Sequence, residues 1–137
     1  MKYLGLDLGT KTCGVAISDK TLLIASFYEN ITYSDTTSLV FRIKEIISKE
    51  GIEKIILGYP KNMNNTLGER VKQTLSFKEQ LEKETQKEVI LEDERMTTII
   101  AEQALLEADL SRKKRKKVID GLSAVVILQS FLDRKEK

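Results

Sequence analysis

The 137-residue chain contains no histidine, one cysteine and one proline. Without histidine, Ser-His-Asp and Cys-His catalysis are excluded, and so is any histidine-ligated metal site. The one cysteine, Cys13, can close no disulfide within the chain and cannot build a structural zinc site. Nothing therefore points to export, and a reducing cytoplasm is the expected setting. No apolar run approaches membrane-spanning length, and no signal peptide is expected before the first strand. Catalysis is left to carboxylates, lysine, tyrosine, hydroxyls or a bound metal. A metal held by carboxylates alone is a hard ion such as Mg²⁺ or Mn²⁺.

The length predicts one domain over residues 1–137, and a hydrophobic fraction of 41% is enough for a real core. Net charge is only +2, but it is uneven: residues 111–137 carry +6 and residues 1–110 carry −4. One basic end on a nearly neutral chain suggests a local anionic partner.

The stretch Tyr3–Lys11 reads as a strand and the loop after it. Leu4, Leu6 and Leu8 share one face, expected to be core. Tyr3, Gly5, Asp7 and Gly9 share the other, and the glycines are expected to leave open space over the Asp7 carboxylate for a metal or a phosphate backbone. The bland alternative is that Asp7 ends the strand and starts a turn. Gly14–Asp19 alternates again. With the short connection Gly9–Cys13 it predicts an antiparallel hairpin. A third strand falls within Leu22–Tyr33. Leu39, Val40, Ile43, Ile46 and Ile47 then follow helical spacing, with Ser34 or Asp35 as cap and Gly51 as stop. Ile52–Leu57 and Val89–Leu91 read as buried strands. Helices are expected over about 67–85, 97–109 and 118–132, the second of them capped by Thr97-Thr98. This order predicts an α/β fold, a mixed five-stranded sheet flanked by helices: a three-strand meander plus parallel strands.

In such a sheet, ligands gather at the carboxyl ends of the parallel strands. Asp7 lies near one such end, and Asp93 and Glu94 are expected just past another. Asp120 is expected in the first turns of the last helix, on one face with Ala124 at i+4. Three carboxylates meeting there could hold one or two Mg²⁺ ions for phosphodiester cleavage. Taken singly, Asp120 is also a favourable acid near a helix N-terminus, and Asp93-Glu94-Arg95 a solvated turn. Gly9-x4-Gly14 is not a P-loop, because Val15 and Ala16 stand where Lys and Ser/Thr are required. Backbone contact to phosphate at Gly9-Thr10-Lys11 remains, with Lys11 as a point charge. Arg112-Lys113-Lys114-Arg115-Lys116-Lys117 is six consecutive basic residues. They read either as a solvated junction between helices or as a contact to nucleic-acid phosphates.

Gly5-Leu6-Asp7-Leu8-Gly9-Thr10-Lys11 with Gly14-Val15-Ala16-Ile17-Ser18-Asp19 resembles the opening of the YqgF (RuvX) family. So do Gly58-Tyr59-Pro60 with Asn62, Asp93-Glu94-Arg95-x-Thr97-Thr98 and the Asp120 helix. The resemblance spans nearly the whole chain with its motifs in order. It implies an RNase H-like fold and a nuclease maturing the 5′ end of pre-16S ribosomal RNA, in a family first proposed as Holliday-junction resolvases. It implies Asp7, Glu94 and Asp120 as catalytic and metal-binding triad, with Asp93 the alternative to Glu94 and Mg²⁺ or Mn²⁺ as cofactor. It also implies Lys11, Asn62 and Arg95 as substrate-binding residues, alongside the basic run. Expected partners are structured RNA (pre-rRNA) or branched DNA and the ribosome precursor, with no membrane, for a monomer or homodimer. Two other classes are a non-catalytic RNA-binding assembly factor and a nucleotide-binding ATPase of the actin and sugar-kinase type. The retained acids speak against the first. The second needs two such domains, where this chain has room for one.

Overall fold

The computed structural model describes residues 2–9, 11–59, 68–93 and 112–135, with backbone alone at 68–70, 93, 112–121 and 135. Five strands and three helices are described: β1 (Lys2–Leu8), β2 (Thr12–Ser18), β3 (Ala25–Thr32), α1 (Thr36–Glu50), β4 (Ile52–Tyr59), α2 (Gly68–Thr85), β5 (Glu88–Asp93) and α3 (Arg112–Lys135). The sheet order is β3-β2-β1-β4-β5. β1, β2 and β3 form the antiparallel meander, and β4 and β5 run parallel to β1. The expected helix over 97–109 lies outside the described residues.

The leucine face of β1 is core, as its alternation predicts. Leu4 and Leu6 pack with Val15, Ile55 and Leu57 beneath Leu39, Ile43 and Ile46 of α1 and Phe77 and Leu81 of α2. α1 starts where Asp35 accepts a hydrogen bond from the Ser38 N–H at 2.8 Å, and it stops at Gly51, whose φ of 68° suits a residue without a side chain. Between β2 and β3, the Asp19 carboxylate accepts from Thr21 Oγ1 and from the Leu23 and Ile24 N–H groups.

The glycine face differs from expectation. Around Tyr3 and Gly5 it is a second core rather than open space. Tyr3, Ala16, Ala25 and Ile56 are buried under Ala124, Ile127, Leu128 and Leu132 of α3. A Cβ on Gly5 would lie 2.7 Å from Leu128 Cβ and 3.1 Å from the Ala124 carbonyl oxygen. Gly5 therefore admits a helix rather than a ligand. Three further boundaries shift. Cys13 belongs to β2 and is fully buried in the first core, not in the connection. Asp93 is the last residue of β5, not beyond it. The basic run is no junction: α3 begins at Arg112, so residues 112–117 form its first turns. Lys and Arg are good helix formers, and that propensity outweighs their unfavourable place at the positive end of the helix dipole.

Candidate active site

Asp7 is the penultimate residue of β1, half-buried within the strand, so it does not open the turn. It pairs with Gly14 of β2. By the pleat it shares the α3 face with Tyr3 and Gly5. Its charge is felt through the sheet. Burial pushes the Cys13 thiol well above its ordinary range, and the Asp7 carboxylate raises it further.

The loop after β1 is short and tied on both sides. The Gly9 N–H donates to the Thr12 carbonyl at 2.8 Å, and a Cβ on Gly9 would stand 2.8 Å from that same oxygen. Tyr33 fastens the loop from the β3 side. Its N–H donates to the Lys11 carbonyl at 3.0 Å, and its hydroxyl donates to the Gly9 carbonyl. Lys11 is exposed at this loop. Sequence alternation read Tyr33 as part of the third strand. It lies just past β3, and no local pattern marks a hydroxyl that reaches back 24 residues.

Glu92 is a second feature that sequence reading did not single out. It is only 2% exposed. One oxygen, Oε1, is 2.7 Å from Arg134 Nη1 of α3, and Oε2 has no hydrogen-bond partner among the described residues. Glu92 pairs in register with Gly58 of β4. The Leu6–Leu57 pair of β1 and β4 puts Asp7 and Gly58 next in line. Asp7 and Glu92 thus flank a residue without a side chain, on the same face. The signal was the parity Ile90, Glu92, which the polar stretch after it obscured.

α3 comes closest to β1 at Gly5, the residue without a side chain. The Phe131 ring centroid is 6.1 Å from that of Tyr3, and Ala124 and Leu128 cover Gly5. Asp120 stands in α3 one turn before Ala124, on the same helix row. Its side chain lies outside the described residues. So do Asn62, Glu94 and Arg95 altogether, and the side chains of Asp93 and Arg112–Lys117. Among the described residues no three Asp, Glu or Cys side chains converge as a metal cluster. The donor chemistry nevertheless fits a hard cation. The carboxylates at this sheet end offer oxygen alone, and one buried oxygen of Glu92 is unpaired among the described residues.

Comparison with known proteins identifies the lineage. The family model described as "RuvX: Holliday junction resolvase" matches residues 1–134. A protein of Geobacillus sp. (strain WCH70), named "Putative pre-16S rRNA nuclease", is 49% identical over 138 residues, covering 99% of this chain and 100% of that protein. A protein of Bacillus pumilus with the same name is 50% identical over 135 residues, covering 97% and 98%. Among solved structures, Thermus thermophilus RuvC in complex with a Holliday junction substrate aligns with a TM-score of 0.62 at 16% identity, over 98% of this chain and 96% of that one. The Fowlpox virus resolvase with substrate Holliday junction DNA aligns with a TM-score of 0.62 at 13% identity, over the whole of both chains. The sheet order and these likenesses make the fold RNase H-like. On the family match and the full-length identity, the chain belongs to the RuvX (YqgF) family.

Proposed function

We propose that this chain is a metal-dependent nuclease that hydrolyses phosphodiester bonds in maturing the 5′ end of pre-16S rRNA, acting as a single cytoplasmic domain. One observation carries the reading. The face of β1 that bears Asp7 is stripped to glycine at residue 5, and α3 closes on it there. Tyr3 meets Phe131 and Gly5 meets Leu128 and Ala124, so α3 runs back along β1 as its residue numbers fall. Continued one step further, that progression would bring the turn of Asp120 toward Asp7. An acidic cluster would weaken plain phosphate binding, so its retention favours catalysis over a passive RNA-binding role.

Asp7, Glu94 and Asp120 would hold Mg²⁺ or Mn²⁺, which when bound would activate a water and stabilise the leaving oxygen. The pleat favours Glu94 over Asp93. Asp93 pairs in register with Tyr59 and has the strand parity of Val89 and Leu91, not that of Ile90 and Glu92. In sequence spacing, Glu94 continues the alternation of Ile90 and Glu92. Lys11, Asn62 and Arg95 would hold substrate phosphates, and Arg112–Lys117 would meet the polyanion beyond them. The family model's description favours a second reading, a resolvase acting on branched DNA.

The test is purified protein with Mg²⁺ or Mn²⁺ and three substrates: precursor rRNA, plain RNA and four-way junction DNA. Cleavage of the precursor at its 5′ flank is expected. Asp7→Asn, Glu94→Gln and Asp120→Asn should each abolish it in a folded protein. Full metal-dependent activity in Asp7→Asn would overturn the triad, and cleavage of junction DNA alone would move the assignment to the second reading.

A further inference from the structure

On the other side of β1 from Asp7, a cleft of about 430 Å³ opens between the start of α1 and the exposed side of α2. That volume lies within the range of about 300–1,000 Å³ common for small-molecule sites. Its apolar floor is Leu8 and Phe77. One wall is α2, where Gln73, Ser76 and Gln80 follow one another at helical spacing. The facing wall is Tyr33 and Asp35, and Lys72 is also in the lining. None of these residues belongs to the acidic site.

We infer that this cleft takes one unpaired nucleotide of the RNA strand whose neighbouring phosphate lies at the Gly9–Lys11 loop; the inference rests on the nuclease reading above. The chemistry of the walls selects a base. The Asp35 carboxylate is held below the usual range by the Ser38 N–H, so it stays ionised and repels phosphate from that wall. It accepts readily from the amino and imino donors of a base edge. Gln73 and Gln80 each offer both a donor and an acceptor, as base edges require. The ring of Tyr33 and the floor of Leu8 and Phe77 supply the apolar surface that a base face needs. Among the described residues of the lining, Lys72 is the one cation, and it would neutralise the nucleotide's own phosphate. A half-open recess with hydrogen-bonding walls can read a splayed base, whereas a paired base keeps its edge occupied.

The position of the cleft ties it to the acidic site. Leu8 is the residue after Asp7, and the pleat sends the two side chains to opposite faces. Tyr33, in the cleft wall, holds both the Gly9 and the Lys11 carbonyls. A base seated here therefore bears on the residue that fixes the loop beside Asp7.

The test measures binding without cleavage. Wild type, Ser76→Trp and Gln73→Ala/Gln80→Ala are titrated in EDTA against a short fluorescent single-stranded RNA and its blunt duplex. Ser76 is exposed, so the tryptophan fills the cleft without entering the core; circular dichroism checks that both variants fold. Single-strand affinity should fall about tenfold in each, the scale of one lost base contact, with duplex affinity unchanged. Photo-crosslinks from 4-thiouridine RNA to wild type should map to peptides holding Tyr33 or residues 72–80. Unchanged single-strand affinity, an equal loss on the duplex, or crosslinks confined elsewhere would overturn the inference. If wild type still cleaves precursor rRNA in that case, the nuclease reading stands alone. If wild type binds no RNA and cleaves none, both fall.

Discussion

Gly5→Ala isolates the contact on which the candidate site depends. The added Cβ would stand 2.7 Å from Leu128 Cβ and 3.1 Å from the Ala124 carbonyl. Carbon atoms pack best at about 3.5–4.0 Å, so α3 must retreat by about 1 Å. Neither obstacle is the far end of a flexible side chain; both are fixed to the helix backbone. Overpacking of this kind costs about 1–3 kcal/mol, which lowers Tm by about 3–10 °C for a domain of this size. The functional loss should exceed the loss of stability. Asp120 stands one turn from Ala124, and an error of about 1 Å in placing catalytic groups can cost about 100-fold in rate. Thermal unfolding and single-turnover cleavage at a temperature where the variant is folded would measure both. Leu128→Ala should not rescue Gly5→Ala, because alanine keeps the offending Cβ; alone it should cost about 2–5 kcal/mol. A Gly5→Ala protein with wild-type Tm and wild-type cleavage would refute the reasoning, and the glycine would return to a ligand-facing role.

Three other outcomes follow from the structure. Cys13 is fully buried and its thiol is pushed up by burial and then by Asp7, so it should resist thiol reagents until denaturant is added, and Cys13→Ser should cleave normally per folded molecule; rapid labelling of native protein would contradict this. Arg42 holds the Glu29 carboxyl below its usual range, and Thr21 with the Ile24 and Leu23 N–H groups lowers Asp19 to about 2. Both folded values lie below the unfolded ones, so their stabilisation is full above about pH 5 and is lost as pH falls through the folded values. For Asp19 the window runs from about pH 4 to about 2. The urea midpoint should decline on acidification, and Arg42→Gln should make the decline shallower; an identical pH profile would exclude the pair. Finally, replacing Lys113, Lys114, Lys116 and Lys117 by Gln should flatten the plot of log affinity against log salt by up to about 3.6 on duplex RNA, at about 0.9 per phosphate contact. Affinity should fall for every sequence alike, and an unchanged slope in a folded variant would make the run a solvated helix end.

The elements legible in the sequence were those with a strong period or punctuation. The isoleucines of α1 and β4, the Asp35 cap and the Gly51 stop stand where periodicity and capping place them. The parallel centre followed from the alternation of strand and helix. What sequence could not give was the occupant of a gap. Gly5, Ala16 and Ser18 announce missing volume on one face, but nothing local says whether a ligand or a distant helix fills it. The answer lies more than 100 residues away, in Ala124 and Leu128. The basic run misled for a related reason. Like charges argue for a solvated loop by repulsion, while Lys and Arg favour helix by propensity, and here propensity wins. Asp7 was legible as a candidate because its neighbours are so small. Glu92 was not, because its burial depends on Arg134 and on register with Gly58.

On the proposed reading, the end of β1 serves chemistry and recognition at once. Successive residues point to opposite faces, so Asp7 and Leu8 serve different surfaces from adjacent positions. The face of Asp7 is thin: Gly5 lets a helix backbone come close, which is what gathering acids from separate elements requires. The face of Leu8 is thick, built from α1 and α2, and it leaves a recess with hydrogen-bonding walls. The Gly9–Lys11 loop joins the two, and Tyr33 grips it from the recess side. On the proposed reading, a base in the recess and a phosphate at the loop are parts of one strand of substrate. Binding energy gained in the recess then fixes the phosphate before the acids, which is how contacts remote from the reacting bond raise its rate.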